Sequence, residues 1–204
     1  MTVRSSGPLD GAPPATYRAI MPVAEALKIT TEEYRLLPEG GPRYQLIEGE
    51  LYMSPSPNRF HQVIVRNVFR VLDAHLTEHP IGALYFAPLD VHLTQHDVFQ
   101  PDVLYVSNER ADILVDEGVR GAPDLVVEVL SPGTQQIDRD LKRKAYAAAG
   151  VEEMWIIDPG DNSVSIHRLM ENAEEPVAVH HKGISFESPL FPGLLIDCAE
   201  IFRG

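Results

Sequence analysis

The residues that could do chemistry in this chain are acids placed at or inside predicted strands. Asp102 and Asp124 each follow a proline, and Glu128 lies within the apolar run Val126–Leu130. A strand that is covered on both faces has no solvent-facing side near its middle. A buried carboxylate is costly unless it is paired or bound to a metal, so we predict a functional role for Glu128.

The spacing of these acids favours Asp102 as the partner of Glu128. Asp124 and Glu128 share a strand and a face, but four residues of strand separate them by about 13 Å. Two carboxylates that far apart cannot share one ion at ligand distances of about 2.1–2.5 Å. Asp102 opens a different strand, and if that strand is a neighbour at about 4.8 Å, the two carboxylates can meet.

A lysine lies on the helix predicted to follow the Glu128 strand. Lys142 is four residues from both Asp138 and Tyr146, so it shares a helical face with each of them. Lysines on helices are usually solvated. A helix packed beside the sheet can nevertheless direct Lys142 toward the end of the strand that carries Glu128.

Apolar periodicity and turn residues predict the elements that must position these side chains. The helices are predicted at Ile29–Tyr34, capped by Thr30 or Thr31 with Glu33, at Asn58 to about Glu78, at Thr134–Ala149 before Gly150, and at Glu200–Phe202. The strands are predicted at Tyr44–Met53 with a turn at Glu48-Gly49, Leu84–Leu93 with Pro88 at an edge or bulge, Asp102–Val106, Asp124–Leu130, Glu153–Asp158, Ser163–Leu169 and Val177–His181. This order predicts an α/β (α+β) domain in which helices flank a central mixed sheet.

Length and composition predict one cytoplasmic domain. Residues 1–25, rich in Gly and Pro, are predicted to be a disordered tail, and residues 26–204 the domain. No apolar run approaches the roughly 18–20 residues of a membrane span, and the N-terminus has no secretory-signal pattern. The single Cys198 excludes an intrachain disulfide and a cysteine metal cluster.

The net charge of −13 restricts the ways in which this protein can handle nucleic acid. Broad phosphate contacts need Lys and Arg, whereas a metal ion supplies local positive charge inside an acidic pocket. The charge therefore weighs more against a passive DNA-binding module than against a metal-dependent phosphodiesterase. Gly-x-Ser-x-Gly, a phosphate-cradling glycine loop and His-Glu-x-x-His are absent.

Several segments between residues 42 and 160 match one family in order and spacing. They are RYQLIEGELYMSPSP, the helix from His61, QPDVLYVSNER and APDLVVEVLSPGTQQIDRDLKRKAYAAAGVEEMWIIDP. Together they resemble the Uma-two-type family of restriction endonuclease-like proteins, a branch of the PD-(D/E)XK nuclease superfamily.

The resemblance implies a restriction-endonuclease-like core that hydrolyses phosphodiester bonds of nucleic acid, DNA being the expected substrate. It implies catalytic roles for Asp102, Glu128 and Lys142. Asp102, Glu128 and the backbone carbonyl of Val129 are the expected ligands of Mg²⁺ (or Mn²⁺). Tyr146 is expected to position the lysine or a phosphate oxygen.

The chain departs from the family pattern at two positions. Leu130 stands where the superfamily has its lysine, and the K-x-x-x-Y match places that lysine at Lys142 instead. Gln45 stands where relatives usually have an acid. If that acid helps to hold the metal, we expect weaker metal binding here, or Glu48 or Glu50 in its place.

Other roles stay open at this point. His61 is a candidate base or a residue supporting the site, or a capping or surface histidine, and Glu50 is an acidic candidate or a plain strand-end residue. The apolar run Pro189–Ile196 suits a homodimer or higher homo-oligomer interface, or core packing. Two alternatives to a nuclease remain: a catalytically degenerate nuclease fold that binds or regulates, and a metal-independent domain whose scattered acidic surface docks a basic partner.

Overall fold

The computed structural model describes residues 28–38, 42–54, 56–131, 135 and 137–204. The predicted tail, residues 1–25, lies outside these ranges. Helix α1 (Thr31–Tyr34) begins with a capping box between Thr30 and Glu33. Helix α2 (Arg59–Glu78) begins at Asn58, whose side chain accepts a hydrogen bond from the His61 N–H at 2.9 Å. Both helix starts confirm the sequence prediction.

Most strands belong to two six-stranded mixed sheets. The central sheet contains β3 (Gly82–Phe86), β6 (Val103–Ser107), β9 (Leu125–Val129), β10 (Glu153–Asp158), β11 (Ser163–Arg168) and β12 (Ala178–His181), in the order β12-β11-β10-β9-β6-β3. The second sheet contains β1 (Arg43–Ile47), β2 (Glu50–Ser54), β4 (Val91–Thr94), β5 (Asp97–Phe99), β7 (Leu114–Val115) and β8 (Gly118–Arg120), in the order β2-β1-β5-β4-β8-β7.

The remaining elements are short. They are a 3₁₀ helix (Asn108–Ile113), a π-helical turn (Ile137–Lys142), α3 (Arg143–Ala149), the pair β13 (Ser185–Phe186) and β14 (Ile196–Asp197), and α4 (Cys198–Ile201). Gly150 caps α3 with φ +92°, a left-handed conformation that glycine adopts readily. The mixed α/β architecture with helices flanking a central mixed sheet is confirmed.

Strand β9 lies at the centre of the core, and all five of its residues are buried. It pairs parallel with β10 and antiparallel with β6. Because side chains alternate along a strand, Leu125, Val127 and Val129 pack in the cluster that includes α2, whereas Val126 packs with residues of α3 and the second sheet. Glu128 shares the face of Val126, so its carboxylate points toward α3.

The predicted strand Leu84–Leu93 is wrong. The segment forms β3 and β4, which belong to different sheets and are separated by residues 87–90 with a cis Ala87–Pro88 bond. Proline has no N–H to donate to a ladder, and it marks the point where the chain leaves one sheet. The strands β5, β7 and β8 were not predicted, because two or three residues show no readable alternation.

The predicted helix Thr134–Ala149 is helical but not α-helical throughout. Gln135 and α3 are α-helical, Ile137–Lys142 is π-helical, and residues 134 and 136 lie outside the described ranges. Apolar periodicity does not distinguish one π turn from an α turn. This difference matters for the site below.

The C-terminal run Pro189–Ile196 contributes to the core. Phe191 and Ile196 are buried in the same cluster as Trp155, while Leu195 is exposed. Core packing therefore accounts for part of the run. Within the described ranges, no helix combines the length and apolar character needed to cross a lipid bilayer.

Candidate active site

The two predicted metal-ligand strands are neighbours. Strands β6 and β9 pair antiparallel with Val103 opposite Val127. Continuing that register by one residue brings Asp102, just before β6, opposite Glu128. The strand that Asp102 opens is therefore the neighbour of the strand that carries Glu128, and both acids line one cavity of about 120 Å³.

Lys142 is directed into this cavity and binds two carboxylates. Its Nζ lies 2.9 Å from Glu128 Oε2 and 2.9 Å from Asp138 Oδ1. All three side chains are buried, at no more than 5% exposed. The helix after β9 thus returns a lysine to the strand that carries Glu128.

The π-helical turn explains how three side chains at four-residue spacing all reach the cavity region. Over four residues an α-helix overshoots one turn by about 40°, whereas a π-helix, with about 4.4 residues per turn, stops about 30° short. The step from Asp138 to Lys142 runs through the π turn, and the step from Lys142 to Tyr146 runs through α3. The rotation that the π turn lacks and the rotation that the α turn adds nearly cancel. Asp138, Lys142 and Tyr146 therefore stay on one side of the helical segment.

Tyr146 completes the contacts of Glu128. Its hydroxyl donates to Glu128 Oε1 at 2.8 Å, and its ring packs edge-on against Phe99 from the second sheet. Each oxygen of Glu128 therefore has one donor, Tyr146 on Oε1 and Lys142 on Oε2. The carboxylate is held in one orientation.

Asp102 is held from two sides. Its Oδ2 accepts the backbone N–H of Val129 at 2.8 Å and lies 3.2 Å from His61 Nε2. His61 is buried at the first turn of α2, which Asn58 caps. Helix α2 thus brings an imidazole to the acid that opens β6, and His61 is no surface residue.

The pKa shifts follow from burial and from this crowding of charge. Burial raises the pKa of Glu128, and Asp138 and Asp102 add to the rise against the lowering effect of Lys142. Burial lowers the pKa of Lys142, but Glu128 and Asp138 outweigh it, and the net shift is upward. For His61, burial lowers the pKa, but the hydrogen bond and charge of Asp102, together with the Val129 backbone and the charge of Asp138, outweigh burial, so the pKa rises.

The donor set is compatible with a divalent metal. Among the described residues, no group of three or more His, Cys, Asp or Glu side chains is arranged to hold an ion by itself. Asp102, Glu128 and the Val129 carbonyl form a smaller set, and Mg²⁺ usually takes one or two carboxylates and keeps several waters. Three carboxylates, those of Asp102, Glu128 and Asp138, line the cavity with two cationic side chains, Lys142 and the exposed Arg43. A bound cation would add positive charge among these acids.

Gln45 lies in the opposite wall of the cavity, on β1. Its Nε2 donates to Ser54 Oγ at 2.9 Å, and its Oε1 accepts the Gln100 N–H at 3.1 Å. The amide uses both of its functions to join β2 to the end of β5. Neither Glu48 nor Glu50 lines the cavity: both are exposed, and Glu50 accepts a hydrogen bond from Tyr52.

Asp124 lies at the other end of β9 and has a different partner set. It accepts the Ser107 N–H at 2.7 Å and the Ser107 hydroxyl at 3.2 Å, and it pairs with Arg110 at 3.6 Å. These contacts tie β9 to the end of β6. Asp124 and Glu128 therefore have separate partners, and the assignment of Asp102 as the second metal ligand stays a prediction.

Asp138 is the site residue that sequence reasoning did not select. Its four-residue spacing to Lys142 placed both on one face, but a helical acid beside a lysine usually marks a solvated pair. Only the packing of the π turn against β9 shows that Asp138 is buried at 3% exposed. The sequence signal that could have identified Asp138 is the four-residue spacing that it shares with Lys142 and Tyr146.

Comparisons with known proteins assign the fold and then the family. A crystal structure of a "putative nuclease belonging to DUF820" from Anabaena variabilis ATCC 29413 has the same fold, with a TM-score of 0.72 and 22% identity over 85% of this chain and 97% of that chain. The chain belongs to the Uma2 family, described as "Putative restriction endonuclease", whose profile matches residues 31–199. A search among curated proteins gives no match.

Proposed function

We propose that this protein is a metal-dependent endonuclease that hydrolyses phosphodiester bonds of DNA. The observation that carries the proposal is the convergence of Asp102, Glu128 and Lys142 on one cavity. Membership of a family described as "Putative restriction endonuclease" supports it, as does a fold shared with a protein described as a "putative nuclease".

Asp102, Glu128 and the Val129 carbonyl would hold Mg²⁺ or Mn²⁺. Such an ion, when bound, lowers the pKa of a coordinated water and neutralises charge on the phosphate. Tyr146 and His61 act on the ligands and not on the substrate: the tyrosine hydroxyl fixes Glu128 Oε1, and the imidazole fixes Asp102 Oδ2. Rigid carboxylates keep the ligand geometry ready for the metal.

Lys142 is the group that acts on the reacting atoms. An ammonium has three N–H donors, and the structure directs two of them to Glu128 and Asp138. The third, for which the described part of the chain supplies no partner, would orient the attacking water or contact a phosphate oxygen as charge develops. Asp138 holds the ammonium in place, and its charge keeps the lysine protonated.

A cleavage assay tests the proposal. Duplex DNA, single-stranded DNA and RNA are incubated with Mg²⁺ or Mn²⁺, and we expect duplex DNA to be cut. Asp102→Asn and Glu128→Gln should each lose at least about a hundredfold in rate, in the range of one lost electrostatic contact to the transition state. Asp124→Asn, a buried acid on the same strand, is the matched control and should keep most of its activity while it stays folded.

Two results would contradict the proposal. One is cleavage that survives both ligand substitutions, and the other is a wild-type protein that cuts none of the substrates with either metal. The second result would favour a degenerate nuclease fold with a binding role, which Gln45 in place of an acid supports. Calorimetry with Mn²⁺ distinguishes an active site from a degenerate one. A degenerate site binds no metal, and Glu128→Ala then leaves the calorimetric signal unchanged.

The convergence of the acids also bears on the remaining alternative. A docking domain predicts acids scattered over the surface, whereas Asp102, Glu128 and Asp138 meet at one cavity.

A homodimer acting in the cytoplasm, with one cavity for each strand of a duplex, completes the proposal. Sedimentation of the purified chain measures the oligomeric state.

A further inference from the structure

The longest acid-free segment of this acidic chain runs from Leu51 to Leu72. Its 22 residues contain no Asp or Glu, although the whole chain has 30 acids in 204 residues. A segment of this length would hold about three at the average frequency. It supplies four of the five residues of β2 and the first fourteen residues of α2. The region thus differs in charge from the rest of the molecule.

The exposed side of α2 carries a row of cationic and amide side chains. Arg59, Gln62, Arg66 and Arg70 are all exposed and follow each other at intervals of three, four and four residues. We call these four residues the α2 stripe. The opposite face of the helix packs into the core. At about 1.5 Å per residue, Arg59 and Arg66 are about 10 Å apart along the helix axis.

The stripe is poorly neutralised by the protein itself. In the part of the chain that the structure describes, Arg59 has no ion pair, and Arg66 donates to the amide oxygen of Asn67 at 2.9 Å. Arg70 has one exposed contact, to Glu200 at 3.4 Å. By contrast, six other arginines pair with carboxylates, namely Arg110, Arg120, Arg139, Arg143, Arg168 and Arg203.

The stripe leads to the mouth of the candidate active site. Gln62 lines the cavity together with Asp102 and Lys142. Arg43, exposed on β1 and also without an ion pair among the described residues, lines the cavity from the other sheet. A polyanion lying along the stripe would therefore pass over the cavity.

We propose that the α2 stripe and Arg43 hold the phosphate backbone of a DNA duplex and guide it over the cavity. This inference rests on the proposed function and names the surface that the substrate contacts. A net charge of −13 repels a polyanion from most of the surface, so a poorly neutralised cationic row determines where it can approach. Measured along the duplex axis, the 10 Å between the two arginines corresponds to about three phosphates of one strand, at a rise of about 3.4 Å each.

Binding measured without cleavage tests the surface. The affinity of the full chain for a fluorescent DNA duplex is followed by anisotropy over a KCl series, in EDTA and again with Ca²⁺. The test variant is Arg59→Gln/Arg66→Gln. The control is Arg35→Gln/Arg120→Gln, which removes the same two charges from exposed arginines that do not line the cavity. Circular dichroism confirms that both variants are folded.

We expect the stripe variant to bind about tenfold more weakly at about 0.1 M salt, and its salt slope to fall by about 1.8, or about 0.9 for each lost phosphate contact. The control should change affinity by less than about twofold. Equal losses in both variants would overturn the proposal, because net charge alone would then explain binding. No loss in either, no binding by the wild type, or a preference for anionic lipid vesicles over the duplex would also overturn it.

The outcome for the surface is separable from the outcome for the nuclease. A wild-type chain that binds duplex through the stripe but cuts nothing with Mg²⁺ or Mn²⁺ supports the surface and contradicts the proposed function. A wild-type chain that cuts DNA, while the stripe and control variants bind alike, supports the function and contradicts the surface.

Discussion

Replacing Lys142 by methionine tests the buried charge network directly. The Lys142 ammonium is 2.9 Å from both Glu128 and Asp138, and the three side chains are almost fully buried. Methionine keeps much of the apolar stem and removes the charge. Two carboxylates are then left in the interior without their cation.

The expected loss in the free energy of unfolding is about 3 kcal/mol at pH 7. Removing one partner of a buried ion pair typically costs about 3–5 kcal/mol. We expect the lower end because burial already raises the pKa of Glu128, so proton uptake there absorbs part of the penalty. Glu128 also keeps its hydrogen bond from Tyr146 at 2.8 Å. Most of the cost therefore falls on Asp138.

Urea unfolding in EDTA measures this loss. Trp155, the single tryptophan, is fully buried on β10 and reports unfolding by fluorescence. Lys144→Met is the matched control, since Lys144 is exposed on the same helix, and it should change stability by less than about 0.5 kcal/mol.

A second variant separates lost charge pairing from lost packing. Glu128→Gln/Asp138→Asn/Lys142→Met removes all three charges, so that no uncompensated charge is left in the interior, which is the main cost of breaking a buried ion pair. The amides that remain are neutral, and we expect this variant to be clearly more stable than Lys142→Met. The reasoning is refuted if Lys142→Met loses less than about 1 kcal/mol, or if the neutral triple variant is as unstable as the single one.

Three further predictions concern other buried polar groups. Asn67→Ala should lose about 2 kcal/mol in urea unfolding, because Nδ2 donates to two C-terminal carbonyls at 3.0 and 2.8 Å; equal stability would contradict this. Tyr146→Phe should lose about 1–2 kcal/mol, since Glu128 Oε1 loses its donor, and no change in the urea midpoint would count against that contact. Burial, with help from nearby arginines, lowers the pKa of His167 to about 4 from 6.5. The neutral ring is favoured in the folded state, so stability is full above about pH 6.5 and falls by up to about 3 kcal/mol as the pH drops toward 4. His167→Phe should flatten this acid limb of the unfolding free energy, and an unchanged limb would refute the assignment.

Local patterns were sufficient for the elements with a long repeat or a specific cap. Helix α2 was predicted from its apolar period and Asn58, and the turn between β1 and β2 from Glu48-Gly49. The single strand predicted at Leu84–Leu93 is wrong, because the apolar residues on the two sides of Pro88 belong to strands of different sheets. Strands of two or three residues gave no period to read.

For the site, strand geometry alone excluded Asp124 as the partner of Glu128, since a rise of about 3.3 Å per residue is a property of any strand, and it favoured Asp102 only if the two strands were neighbours. The pairing of β6 with β9 then confirmed that the two strands are neighbours. The burial of Asp138, the shared ammonium of Lys142 and the exclusion of Glu50 from the cavity depend on packing between distant segments. Spacing along the chain determines which side chains share a face, but burial and charge pairing arise only where that face meets another element.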